Sequence, residues 1–349
     1  MNAPRTRVQR RPVHGVLLLD KPKGLSSNDA LQKAKWLLRA EKAGHTGTLD
    51  PLATGVLPLC FGAATKFSQL HLDADKAYEA VAKLGVTTTT GDAEGEIVST
   101  RSVAAITPKQ LAAVQQDFSG RMLQVPPMHS ALKKNGRALY EYARAGIEVE
   151  REARQVEVFE LDLRLEGTDA LKITARVSKG TYIRTLAEDI GEALGCGAHL
   201  TSLRRVQTGP FGVAHCVTLD ELADLTEEGR IACLLPVESL LADHERVTLG
   251  SEDAGRFLSG LRRRGAWDDA PRVAVFGPSP QPDPSLRSSQ TGERPELPLP
   301  QAGDLPLPLA GEGWGEGCLL GTAQIKNREL IPGRLLAPTE IKQILETTT

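Results

Sequence analysis

The chain has 349 residues, of which 40% are hydrophobic and 25% charged, and its formal net charge is −2. This is an ordinary globular composition, and the length favours two domains. No apolar run reaches the ~18 residues that span a bilayer, and no signal-peptide core follows the basic N-terminus, so we expect neither a membrane protein nor a secreted one. Five scattered cysteines without a CxxC pair predict reduced thiols and a cytoplasmic location.

The positive charge is concentrated at the N-terminal end. Residues 1–66 carry eleven Lys or Arg and four Asp or Glu, a net of +7, so the remaining chain carries −9. A basic segment of this kind favours contact with phosphates. The alternative is a solvated basic tail at Arg5, Arg7, Arg10 and Arg11.

The first predicted elements are a strand, a turn and a capped helix. The apolar run from Val13 to Leu19 predicts a buried strand, and residues 20–24 (DKPKG) predict a turn. Ser26 and Asp29 have the spacing of a capping box, and apolar residues then recur at helical intervals up to Leu38.

The next stretch, residues 44–66, is an apolar run interrupted by four glycines and two prolines. Asp50 is its single acidic residue, and Pro51 favours an extended conformation for it. Glycine allows a ligand or a second backbone to approach closely. Taken alone, Asp50 and Pro51 are typical of a turn. The glycines around them also allow a second interpretation, a carboxylate held for chemistry.

Strands and helices alternate through the middle of the chain. Lys76–Leu84 alternates like a half-buried strand, with Tyr78 on its apolar face, and residues 85–95 predict a loop. Thr107 and Pro108 predict the start of a helix. Alternating apolar residues over 156–177, broken by a turn at 167–169, predict a long antiparallel hairpin.

The helix that follows this hairpin begins with a cation. Ile183, Leu186, Ala187, Ile190 and Leu194 form its apolar stripe, and Gly195 ends it. Arg184 lies off this stripe in the first turn, where a positive charge opposes the helix macrodipole. A carboxylate partner would explain its presence better than chance.

The C-terminal part has a different character. Strands are predicted at residues 272–276 and 318–325, with a tail at 333–336. Between the two strands, residues 277–317 include nine Pro and seven Gly among 41 residues. This composition predicts a dispensable disordered insertion, and a proline-rich ligand for a partner is the alternative.

Five stretches resemble the TruB family of tRNA pseudouridine synthases. They are GVLLLDKPKGLSSNDALQK from residue 15, GHTGTLDPLATGVLPL from residue 44, VPPMHSALKKNGRALYEYARAG from residue 125, SKGTYIRTLAEDIG from residue 178 and GAHLTSLRR from residue 197. Residues 84–95 resemble a sixth family segment, with Thr89 in place of a common Asp. His129 stands where the family usually has Tyr, so no role is assigned to it.

The resemblance implies a fold and a site. The fold is α+β, a pseudouridine-synthase-like, mainly antiparallel sheet with flanking helices in residues 1–245, then a small β-rich PUA-like RNA-binding module in 246–349. In that family the residue matching Asp50 is catalytic, and the one matching Arg184 pairs with it. Tyr78 is implied as a further catalytic residue, and it is also implied at the substrate base together with His45, Tyr182 and Leu203. Lys21 and Pro22 are implied as support. Lys133, Lys134 and Arg137 face either RNA phosphates or solvent.

The resemblance also implies the activity, isomerisation of uridine 55 to pseudouridine in the T-loop of tRNA. This reaction breaks the N1–C1′ bond, turns the uracil and joins C5 to C1′. It requires no metal, redox group or nucleotide cofactor, but it requires an ionised carboxylate and a flipped base. An adjacent Arg184 is expected to lower the pKa of Asp50. We expect the tRNA T stem-loop as partner, no obligate protein partner and a monomer.

Two other functions stay open. The protein could be an RNA-folding chaperone, with or without catalysis, or a guide-RNA-dependent relative acting on other RNAs. An aspartate-based phosphatase would need DxD-type spacing around Asp50, which the sequence does not have.

Overall fold

A computed structural model describes residues 9–278 and 317–348 of the chain. The polypeptide divides into two compact units, one ending at Leu240 and the other beginning at Leu241. The strand at Glu245–Thr248 belongs to the sheet of the second unit. The structure therefore divides the chain a few residues before the predicted boundary at 245.

The first unit contains thirteen strands and six α-helices among its described residues. Its strands are β1 (Gly15–Lys21), β2 (Ala43–His45), β3 (Thr54–Phe61), β4 (Lys76–Leu84), β5 (Val86–Thr88), β6 (Ile97–Thr100), β7 (Gly120–Gln124), β8 (Lys133–Lys134), β9 (Arg137–Ala138), β10 (Arg154–Glu166), β11 (Ala170–Val177), β12 (Ala198–Thr208) and β13 (Phe211–Gly212). Its helices are α1 (Ser27–Leu37), α2 (Pro108–Asp117), α3 (Leu139–Arg144), α4 (Ile183–Ala193), α5 (Leu219–Asp224) and α6 (Glu227–Ala232).

The main sheet of this unit has the strand order β1-β3-β12-β4-β11-β10-β7, with β2 added beside β3 and β13 beside β12. All of its pairs are antiparallel except β3 with β12, so the predicted mainly antiparallel sheet is confirmed. The parallel contact is short and pairs Thr54 with Arg204 and Gly55 with Arg205. Gly55 has a φ of +99°, and a Cβ there would lie 2.1 Å from the Arg205 carbonyl oxygen. Glycine is therefore required where β3 meets β12.

The core of the unit is formed by the apolar faces that the sequence predicted. Tyr78, Ala80, Ala82 and Leu84 are buried along β4, and the stripe of α4 packs on the same core. Ser26 is the N-cap of α1, with its side chain accepting from the Asp29 amide, and Thr107 forms a full capping box at α2.

Two local predictions were wrong. The predicted turn at residues 20–24 begins too early, because β1 continues through Asp20 and Lys21, which pair with Val56 and Gly55 of β3. The predicted loop at 85–95 contains strand β5, which pairs with β6. In both places backbone pairing with another strand, distant for β1 and nearby for β5, overrides the turn-forming residues.

Among its described residues, the second unit contains a five-stranded sheet and two α-helices. The strands are β14 (Glu245–Thr248), β15 (Arg263–Arg264), β16 (Ala270–Gly277), β17 (Cys318–Lys326) and β18 (Glu329–Leu335), in the order β14-β16-β17-β18-β15. The helices are α7 (Ser251–Leu258) and α8 (Pro338–Thr348). Phe257 of α7 and Ile341 of α8 pack on a core of strand residues. The small β-rich module is confirmed, although the predicted tail at 333–336 is mostly strand β18.

The predicted insertion, residues 277–317, lies outside the described residues except at its two ends. Gly277 is the last residue of β16, and it pairs with Cys318, the first residue of β17. The two ends of the insertion are therefore neighbours across an antiparallel pair of strands.

Candidate active site

Asp50 lies in the loop between β2 and β3, and the start of α1 holds this loop in place. The Ser27 hydroxyl accepts from the Leu49 amide at 2.7 Å and donates to the Leu49 carbonyl at 3.0 Å. The amide of Gly24 donates to the Pro51 carbonyl at 2.8 Å. These bonds flank Asp50 on both sides, so the position of the carboxylate is set by a helix that begins more than twenty residues earlier.

Arg184 is the direct partner of Asp50. Its Nε lies 2.9 Å from Asp50 Oδ2, and the arginine side chain is only 4% exposed. Its other two nitrogens donate to the backbone carbonyls of Thr90, at 2.8 Å, and His129, at 2.6 Å. Three segments distant in sequence thus fix one guanidinium, which in turn fixes the direction of the Asp50 carboxylate.

A second carboxylate, which the sequence prediction missed, forms an ion pair with the same guanidinium. Asp92 Oδ2 lies 3.8 Å from Arg184 Nε, and the Asp92 side chain is buried. The Thr90 hydroxyl donates to Asp92 Oδ1 at 2.6 Å, and the Glu94 amide donates to it at 3.0 Å. The signal available in the sequence was the family-like segment at residues 84–95, whose polar residues we expected only to form a loop.

The surroundings raise the pKa of Asp50 above its ordinary value, contrary to the expectation that Arg184 would lower it. Burial is the largest cause, and the charge of Asp92 adds to it, whereas Arg184 and Lys21 act in the opposite direction. The attraction of Arg184 is thus real but smaller than the cost of desolvating the carboxylate. Because 38% of the side chain still faces solvent, the carboxylate is accessible to a ligand in the cleft.

Asp50 and Arg184 line a cleft of about 450 Å³ together with Tyr78, Tyr182 and Leu203. Tyr78 projects from β4, and Leu203 lies on the adjacent strand β12. Tyr182 precedes α4, and its backbone exchanges two hydrogen bonds with the Gln124 side chain at 2.8 and 3.1 Å. The structure therefore brings together five of the eight residues singled out from the sequence. An aromatic and apolar wall beside an ion pair suits a planar, uncharged group such as a nucleobase.

The other three predicted residues lie outside this cleft lining. Lys21 is fully buried, its Nζ donates to the carbonyls of Pro22, at 2.9 Å, and Leu25, at 2.6 Å, and burial lowers its pKa to about 8. Lys21 and Pro22 line a neighbouring groove. His45 ends β2, and burial lowers its pKa, which favours the neutral imidazole near neutral pH.

The basic residues of the 133–137 region lie on a small hairpin. Lys134 Nζ donates to the Glu150 carbonyl at 2.6 Å, and the Arg137 guanidinium stacks over the Tyr142 ring at 4.7 Å. Lys133, by contrast, is exposed, and no polar partner is described for it.

The described residues contain neither a metal-binding cluster nor a membrane-spanning helix. No group of three or more His, Cys, Asp or Glu side chains is arranged to hold a metal ion within residues 9–278 and 317–348. No helix in the same part of the chain is long and apolar enough to cross a membrane.

Comparison with known proteins identifies two matching family models. The TruB family pseudouridylate synthase N-terminal domain matches residues 35–183, and the tRNA pseudouridylate synthase B C-terminal domain matches residues 184–242. Asp50 falls in the first matched region, and Arg184 is the first residue of the second.

Three relatives that cover most or nearly all of this chain carry the same name. The tRNA pseudouridine synthase B of Verminephrobacter eiseniae is 58% identical, with 98% of this chain and 95% of the relative covered. That of Cupriavidus metallidurans is 53% identical over 95% of this chain and 96% of the relative. That of Ralstonia nicotianae is 60% identical over 77% of this chain and 87% of the relative.

Solved structures share the fold. A chain of an H/ACA RNP bound to a substrate RNA containing 2′-deoxyuridine superposes with a TM-score of 0.62 at 23% identity, covering 94% of this chain and 86% of that one. A chain of a Cbf5–Nop10–Gar1 complex gives a TM-score of 0.58 at 28% identity, covering 79% and 77%. The solved structures show the fold, and the matched models and the relatives establish that the chain belongs to the TruB family of tRNA pseudouridine synthases.

Proposed function

We propose that this protein isomerises uridine 55 to pseudouridine in the T-loop of tRNA, with Asp50 as the catalytic carboxylate. The observation that carries the proposal is the Asp50–Arg184 pair, 2.9 Å apart, inside a cleft walled by Tyr78, Tyr182 and Leu203. Membership of the family supports the reaction, and the cleft supports the assignment of the residues.

The chemistry requires the target base to leave its stack. A base stacked within the RNA cannot enter this cleft, so a uridine reaches Asp50 only when it is flipped out of the RNA, at a cost of a few kcal/mol. The Tyr78 ring offers a face for stacking, which returns about 1–3 kcal/mol. Leu203 and Tyr182 would then contact the edge of the base. His45, in its neutral state, is proposed to fill the space that the base leaves in the RNA.

Asp50 acts in its ionised form, as nucleophile or as base at the sugar–base junction. Loss of the N1–C1′ bond leaves a uracil that turns and rejoins through C5, and the C5 proton is then released to solvent. Arg184 holds the carboxylate in its reactive direction and stabilises its charge. Lys21 and Pro22 lie where β1 leads into the α1 start, so they are proposed to support the Asp50 loop indirectly.

The proposed enzyme acts on the tRNA T stem-loop as a monomer, without a cofactor or an obligate protein partner. The PUA-like module of residues 246–349 is proposed to add RNA contacts. A further role in tRNA folding, which the family resemblance implies, would not require the Asp50 carboxylate. Size-exclusion chromatography with and without RNA tests the monomer.

The direct test uses a T stem-loop RNA with tritium at C5 of its uridines. Isomerisation at the target releases one tritium per turnover, and an RNA with cytidine in place of the target uridine is the matched control. Release from the first RNA and none from the second is expected. No release from either would refute the proposed function.

A further inference from the structure

Arg205 is a buried cation that the site described above does not use. It is 1% exposed and is the largest of the fully buried side chains among the described residues. Its Nε donates to the Val56 carbonyl at 2.8 Å. Its Nη2 is buried and has no hydrogen-bond partner in the described part of the chain.

The neighbouring arginine on strand β12, Arg204, differs from Arg205 because its charge is neutralised by a carboxylate. Arg204 donates to both carboxylate oxygens of Asp20, at 3.0 and 2.6 Å, and its side chain is partly exposed. Successive residues of a strand point to opposite faces of the sheet, so the side chains of Arg204 and Arg205 lie on different faces. Arg204 has its counter-charge within the protein, and no such ion pair of Arg205 is found among the described residues.

Arg205 lines the cleft that contains Asp50. It pairs in register with Tyr78 of β4, and both line the cleft with Leu203. A second cation, Lys76, lines the same cleft, and its Nζ donates to the carbonyls of Leu72 and Ala74. Burial is the main cause that lowers the pKa of Lys76 to about 8, and the charge of Arg205 is the next.

Asp50, which lines the same cleft, pairs with Arg184, and the two carboxylates that act on Lys76 also have other partners. Asp73 forms an ion pair with Lys179 at 2.9 Å, and Asp75 with Arg176 at 3.4 Å. A buried charge without a partner is costly, and its cost falls when an anion binds to it. A guanidinium is also the group best shaped to bind a phosphate.

We propose that Arg205 binds a backbone phosphate next to the flipped uridine, as a substrate-positioning residue of the cleft. This inference rests on the proposed function, since it names the part of the RNA that the cleft holds besides the base. Leu72, which is partly exposed on a short 3₁₀ turn, lies beside Arg205 near Gly47. We expect the Leu72 side chain to move aside when the phosphate enters.

The test combines a protein change with a matching RNA change. Arg205→Met is made in the Asp50→Asn background, so that the RNA is bound but not converted. Binding is measured by fluorescence anisotropy to the T stem-loop RNA and to RNAs in which each phosphate flanking the target uridine is replaced, one at a time, by a neutral methylphosphonate. Arg204→Met in the same background is the matched control, and melting temperatures monitor folding.

At one of the two flanking positions, the neutral linkage is expected to weaken binding of the Arg205-containing protein about tenfold or more, the size of a charge-assisted hydrogen bond. The same linkage should cause no further loss in Arg205→Met, whereas it should keep its full effect in Arg204→Met. Arg205→Lys, which keeps the charge, should retain part of the dependence on the phosphate.

Independent effects of the Arg205 and methylphosphonate changes at both positions would overturn the proposal. If Arg205→Met does not fold, the same comparison is made with Arg205→Lys, and an undiminished dependence at both positions in that variant counts against the proposal. Tritium release by the unmodified protein is measured separately. Its absence would refute the proposed reaction, and the binding comparison would still decide whether Arg205 contacts a phosphate.

Discussion

Replacing Arg184 by glutamine removes the cation on which the candidate active site is built. Arg184 is 4% exposed, pairs with Asp50 at 2.9 Å and donates to the carbonyls of Thr90 and His129. The change leaves Asp50 and the buried Asp92 without their shared counter-charge. Breaking a buried ion pair costs about 3–5 kcal/mol, and because Asp50 is partly solvated we expect the lower end, about 3 kcal/mol. For a unit of this size the melting temperature should fall by roughly 6–12 °C.

The same change should alter the pH dependence of the reaction. In the unmodified protein the pKa of Asp50 already lies above its ordinary value, and Arg184 opposes that increase. Only the ionised carboxylate reacts, so activity is lost as the pH falls through this raised pKa. Without Arg184 the pKa of Asp50 rises further, and the acid limb of the pH profile moves to higher pH. Loss of an oriented charge in the site also lowers the rate at neutral pH by about 10²–10³-fold.

Single-turnover tritium release between pH 4.5 and 8.5 measures both effects, with thermal unfolding measured in parallel. Arg176→Gln is the matched control, because Arg176 pairs with Glu160 and Asp75 on the surface, where such pairs contribute about 0–1 kcal/mol. An acid limb that stays where the unmodified protein has it would refute the electrostatic argument. A loss of melting temperature no larger than that of the control would refute the stated cost of breaking the buried ion pair.

Three further predictions concern single elements of the chain. Asp50→Asn should fold and bind the T stem-loop RNA but release no tritium, and substantial release would exclude Asp50 as the catalytic group. Tyr78→Phe should bind RNA but lose about 10²–10⁴-fold in turnover if the hydroxyl assists proton transfer, whereas Tyr78→Leu should lose both stacking and turnover; normal turnover in both would make Tyr78 a core residue only. Replacing residues 278–317 by a short Gly/Ser turn between Gly277 and Cys318 should leave melting temperature and turnover nearly unchanged, because these two residues already pair across adjacent strands. A clear drop in either would show that the insertion packs or binds.

The sequence predicted the elements that follow from local regularity. The alternation along β4, the hairpin of β10 and β11, and the apolar stripe of α4 each report which face is buried, and each was found as expected. Arg184 was also predicted to have a carboxylate partner, because a cation in the first turn of a helix has an unfavourable local environment. The partner's identity came only from the family resemblance.

The features that were missed depend on contacts between distant segments. Asp92 sits in a polar loop without periodicity, and its position beside Arg184 is set by tertiary structure. Arg205 follows Arg204 on a strand. Strand alternation predicts that their side chains lie on opposite faces of the sheet, but it does not predict which of the two is buried. The raised pKa of Asp50 depends on how deeply the loop is buried, which neither motif nor spacing reports.

The central position of β12 has a consequence for how the chain folds. This strand, residues 198–208, is inserted between β3 and β4, which precede it by more than a hundred residues. While the chain is being synthesised, the start of β3 at Thr54 and Gly55 and the edge of β4 that β12 later pairs with stay unpaired until β12 emerges, and such edges are sites of misassociation. Pairings of this sequence separation also form slowly. The nascent protein therefore completes its cleft, through Leu203 and Arg205, and covers these strand edges in the same late step.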